Sequence, residues 1–151
     1  ARLVLLLSFL VALSHIINGS AAPGDGFTAG AIAGLATSLW YVIFGYQEAK
    51  ERLKLFRPYR LVRAGLVIVV VNAVIPIIFG LHGGTFLAHV DYGKDLGINE
   101  MLHRFGLELT SGLFFEIGIA LTIFGGLGII MDAIAHPTEI ADIDDLESES
   151  E

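Results

Sequence analysis

Apolar positions gather in four long stretches separated by short polar ones. The first, residues 3–17, is broken only by Ser8, Ser14 and His15. The second, 27–46, holds no charge. The third, 61–81, has Arg63 near its start and Asn72 and Pro76 inside, and the fourth, 107–134, carries Glu108, Glu116 and Asp132. A helix needs about 20 apolar residues to span a bilayer core, and the last three stretches reach that length. A backbone facing lipid has to satisfy its own N–H and C=O groups, so helices are the expected form, and no alternating barrel pattern appears. The pattern therefore predicts an all-α integral membrane protein with four transmembrane helices, near residues 1–17, 27–46, 61–81 and 107–134, in a membrane domain over 1–137.

Basic residues orient the helices. Six of nine, Lys50, Arg52, Lys54, Arg57, Arg60 and Arg63, lie in or beside the second connection. The positive-inside rule places that connection in the cytoplasm, and with four spans both termini join it. Trp40, Tyr41, Tyr46 and Tyr59 flank it as an interfacial aromatic belt. Arg2, the apolar run and Ser20-Ala21-Ala22 also fit a cleavable secretory signal, an alternative reading of the start.

Composition agrees with lipid as the solvent: 54% hydrophobic, 17% charged, mean hydropathy +0.72, against roughly 25% charged for soluble domains. Of sixteen acids, seven lie after Pro137, which leaves nine acids against nine bases in the body. That tail, 138–151, reads as disordered and solvated or as a docking segment for a basic partner. A basic footprint for nucleic acid is absent. With no cysteine, disulfides and thiol chemistry are excluded.

Gly26, Gly30 and Gly34 form a four-residue repeat at the start of the second helix; Gly118, Thr122 and Gly126 form another in the fourth. Small residues at this spacing let helix backbones approach closely, within the chain or against other subunits. Glu116, among Phe114, Phe115, Ile117 and Ile119, is the most informative residue. An acid deep in an apolar span faces protein or water, and marks either an ion or proton path or a hydrogen-bonded link between helices. Asn72 adds polar capacity, since Pro76 cannot donate to its carbonyl. From the start of each stretch, Asn72 lies roughly 16 Å and Glu116 roughly 14 Å inside, which predicts a shared polar layer near the midplane. Glu108 suits a helix N-terminus and would form an acidic ladder with Glu116. His82, His89 and His103 have no metal-ligand spacing, and no phosphate-binding loop, nucleophile elbow or other catalytic constellation is present. Pro23-Gly24 breaks the turn that enters the second helix.

These residues resemble the B subunit of Mrp-type (Mnh-type) multisubunit cation/proton antiporters over nearly the whole chain. The turn Gly19-Ser20-Ala21-Ala22-Pro23-Gly24-Asp25-Gly26-Phe27 is similar to the family's Gly-His-Asn-x-Pro-Gly-Gly-Gly-Phe, with Gly30 following. Phe86, Leu87 and His89 match a Phe-Leu-x-His segment, and Glu108-Leu109 and Phe115-Glu116-x-Gly118 match the last helix. Ser20, Ala21 and Asp25 depart from the pattern, so the role of the His-Asn pair does not carry over. The resemblance implies a small, non-enzymatic subunit without cofactors in the plasma membrane. Its partners are other membrane subunits of the complex, and sodium ions and protons are the ions moved. It equally implies the corresponding subunit of a redox-driven ion-pumping complex such as a membrane-bound hydrogenase. A purely structural assembly role, in which the glycine stripes matter and the acids do not, is the remaining alternative.

Overall fold

The computed structural model describes residues 2–18, 24–52, 57–81, 84–92 and 110–135. Four helices account for most of them: α1 Arg2–Asn18, α2 Asp25–Arg52, α3 Pro58–Ile78 and α4 Ser111–Ala135. Three are long and apolar enough to cross a membrane, and α1 contributes the shorter apolar run Leu3–Ile17. The molecule is thus the all-helical, four-helix membrane protein that the apolar pattern predicts. Large side chains such as Leu3, Val42, Val70 and Ile78 point outward, which lipid accommodates and water would penalise.

The element bounds follow local chemistry. Pro58 opens α3, where its missing N–H costs nothing. In α2, Gly45 adopts φ 75° and ψ 169°, a conformation essentially restricted to glycine. It divides the helix into an apolar arm of about 30 Å and a short segment that carries Lys50. The second helix, expected to end near Tyr46, breaks here, although helix resumes as far as Arg52. Helix α4 starts at Ser111 rather than near 107. The Thr110 hydroxyl accepts from the Leu113 amide at 3.3 Å, and Thr110 forms a β-bridge with Asp91.

Helix α4 is the hub, with its main packing on α2 and α3, while α1 packs on α2. Pairing of Gly26 with Glu116, Gly30 with Ala120 and Gly34 with Leu127 makes α2 and α4 parallel. Gly65 against Gly118 and Thr122, with Gly125 against Pro58 and Val62, makes α3 antiparallel to α4. Ala12, Ala29, Ala33 and Ala120 form the small core where α1, α2 and α4 meet, and Phe9 rests edge-on against Phe124 with ring centres 5.7 Å apart.

Candidate functional site

The first amides of a helix have no intrahelical partner and carry the positive end of its dipole. At the start of α2 they are met by a side chain from another span. The Gly26 N–H donates to Glu116 Oε2 at 2.6 Å and the Gly24 N–H donates to Oε1 at 3.2 Å. Glu116 is only 7% exposed, so both oxygens are used where water has little access. Hydrogen bonds to a carboxylate are about twice as strong as neutral ones. A side chain at Gly26 would collide with the Glu116 backbone; only glycine lets the amide come this close. Glu116 is therefore a cap supplied in trans, fastening α2 to α4.

His15 and Asp25 complete this corner. The His15 ring Nδ1 lies 3.2 Å from Asp25 Oδ1, with both side chains partly exposed. Asp25 sits between the two glycines that bind Glu116, so α1, α2 and α4 each contribute one ionisable group. Phe27, on the next turn position, points outward and lines an apolar groove with Gly126.

Asn72 belongs to a separate knot between α3, α4 and the 84–92 segment. Its Nδ2 donates to the Ser111 carbonyl at 2.9 Å, and the Tyr92 hydroxyl donates to its Oδ1 at 2.9 Å. Ser111 binds back to Val90, amide to carbonyl at 2.8 Å and hydroxyl from amide at 2.9 Å. Burial pushes the Tyr92 phenol above its ordinary value, which keeps the proton it donates. Beside this knot lies a cavity of about 310 Å³ whose wall includes Asn72, His89, Ser111 and Phe115. His89 itself is exposed. Leu87, at φ 58°, holds the segment in a left-handed turn, with its amide 3.4 Å from the Ala73 carbonyl.

The structure thus gives Glu116 and Asn72 different partners. Glu116 lies about 7.5 Å from the start of α4 and Asn72 about 9 Å from the end of α3; both lie toward the same end of the bundle, not at its middle. The displacement follows from the later start of α4. Among the expected packing glycines, Gly26, Gly30, Gly34 and Gly118 lie against neighbouring helices, whereas nothing lies within 4 Å of a Cβ built on Gly126. Gly65 and Gly125, not singled out from the sequence, join Gly118 in the tight contact of α3 with α4. Pro23, Glu108, His82, His103 and the acidic tail lie outside the described residues. Among the described residues no cluster suited to a metal ion occurs.

A family model described as "Domain related to MnhB subunit of Na+/H+ antiporter" matches residues 1–129. A Staphylococcus haemolyticus (strain JCSC1435) protein with the name "Putative antiporter subunit mnhB2" is 32% identical over 114 residues, covering 75% of this chain and 74% of that protein. No solved structure gives a significant match.

Proposed function

Because this chain belongs to the MnhB family of Na+/H+ antiporter subunits, we propose that it is a small subunit of a multisubunit sodium/proton antiporter in the plasma membrane, with both termini cytoplasmic. Its part is to hold a corner of the membrane assembly in shape, and Glu116 is the fastening. The observation that carries this reading is the pair of backbone amides on the two carboxylate oxygens. An acid so engaged is a positioning residue, and it supports the structural role over free exchange with water.

A second reading has its own support. The His15–Asp25 pair abuts the same helix end and is partly exposed, so protons or cations reaching it would meet Glu116 next. Glu116→Gln separates the two. A glutamine has one acceptor oxygen, so it can accept from Gly24 or Gly26 but sets its NH2 against the other amide; the fastening reading therefore expects less chain in the purified complex, with exchange activity falling in proportion. A complete complex whose exchange per complex is lost would favour the ion-path reading. Full assembly with full exchange would remove Glu116 from both. Flavin- or iron–sulfur-bearing proteins among the co-purifying subunits would instead place the chain in a redox-driven pump.

A further inference from the structure

The cytoplasmic end of α3 carries charge that the bundle does not use. Arg57, Arg60 and Arg63 are all exposed, and among the described residues none of the three forms an ion pair. Arg60 and Arg63 lie on the side of the helix away from α4. Pro58, Val62, Gly65 and Val69 face α4; at about 100° per residue, Arg60 points about 170° and Arg63 about 130° away from the middle of that face. Arg57 stands just before the first turn. Tyr59, 66% exposed, lies between them and the packed face.

Position along the axis matters as much as direction. The three arginines span about 9 Å from the start of α3, comparable with one headgroup layer. Their long stems let the guanidinium groups reach back to that level from the apolar run beginning at Ala64. Arginine binds phosphate oxygens in a two-pronged fashion that lysine cannot copy. Lys50, the neighbouring cation, is hydrogen-bonded to the Tyr46 hydroxyl and lies 4.7 Å from its ring centre, so it is engaged within α2. Across residues 45–63 six basic side chains face two acids, Glu48 and Glu51.

We propose that the outward face of Arg57, Arg60 and Arg63 is a binding site for the headgroup of an anionic phospholipid, with Tyr59 as its interfacial neighbour. The complementary charge selects the partner, because a phosphate at headgroup level meets three guanidinium groups without competition from the bundle. The inference rests on the membrane reading but not on the antiporter assignment.

The test uses the complex as purified. Phosphatidylglycerol, phosphatidylcholine and inorganic phosphate are titrated separately in detergent, with bound lipid read by native mass spectrometry. The wild-type complex is expected to prefer phosphatidylglycerol, and R57Q/R60Q/R63Q to lose affinity for it on the order of 100-fold, at the usual contribution per basic residue near a charged surface. Phosphatidylcholine binding should stay the same, and R57K/R60K/R63K, which keeps the charge but loses the two-pronged contact, should fall between the wild type and the glutamine variant. Equal affinity for the two lipids, an unchanged glutamine variant, or displacement of lipid by inorganic phosphate would overturn the proposal. So would lipid binding that appears only after residues 138–151 are removed, since the acidic tail would then be the occupant. Extraction at alkaline pH keeps the two ideas distinguishable. Release of the wild-type chain would refute membrane insertion itself, whereas retention of both chains with no lipid preference refutes only the site.

Discussion

Gly26→Ala puts the contact between α2 and α4 under the most direct strain. The new methyl carbon would overlap the Glu116 carbonyl oxygen and lie 2.8 Å from its carbonyl carbon and Cα. These are backbone atoms, so no side-chain rotation relieves the clash, and the two helices have to part at the ends where they begin. Overpacking of this kind costs about 1–3 kcal/mol. Parting also stretches the 2.6 Å bond from Gly26 to Glu116, and a hydrogen bond to a charged group contributes about 1.5–3 kcal/mol. Alanine returns roughly 0.5–1 kcal/mol through its better helix propensity. The net expectation is a loss of about 2–5 kcal/mol, read as a fall of roughly 4–20 °C in the melting temperature of the detergent-solubilised chain.

Coupling sharpens the assay. Once Gly26→Ala has separated the partners, Glu116→Gln has less left to remove, so the double variant should be less destabilised than the two single losses added together. A melting temperature unchanged by Gly26→Ala, or strict additivity with Glu116→Gln, would refute the fastening.

Two further substitutions probe other parts of the bundle. Gly126→Ala meets open space, so it should leave the isolated chain unchanged or raise its stability by up to about 1 kcal/mol, the opposite sign from Gly26→Ala in the same melting assay. Asn72→Ala strands the buried Tyr92 hydroxyl and removes a donor from the Ser111 carbonyl; it should cost about 2–4 kcal/mol. Tyr92→Phe should cost less, and a double-variant cycle should return about 1 kcal/mol of coupling.

The spans were legible because lipid imposes one demand, apolar length, that a single sequence states openly. So was the singularity of Glu116, the acid set among phenylalanines and isoleucines in the fourth stretch. Its partner was not legible. The groups that hold it are backbone amides, which nearly every residue has, and only the fold decides which of them are left free at a helix start. The available clue was the glycine on either side of Asp25, which leaves room for a carboxylate to approach. The Gly118–Thr122–Gly126 repeat shows a different loss. Steps of four advance about 400° around a helix, so each member drifts about 40° further from the α3 face. Gly125, seven residues after Gly118, returns to within about 20° and takes the contact instead.

The same angles explain why the acid of α4 faces α2. On α4, Glu116, Ala120, Ile123 and Leu127 cluster within about 60° of one another toward α2, while Gly118, Thr122 and Gly125 lie toward α3 on the opposite side. At the end of the bundle where α4 begins, these two neighbours present opposite polarities. Helix α2 runs parallel to α4 and offers its first amides there; α3 runs antiparallel and offers its last carbonyls. A carboxylate is attracted by the first and repelled by the second. Rotating it by half a turn would place it against the negative end of α3 with no donor from that helix terminus. On the α3 side of the same level stands Asn72, an uncharged amide able to donate to Ser111 and accept from Tyr92 at once. The polar groups at this end are thus assigned by helix direction: a carboxyl acceptor where a helix begins, and a neutral donor–acceptor where one ends.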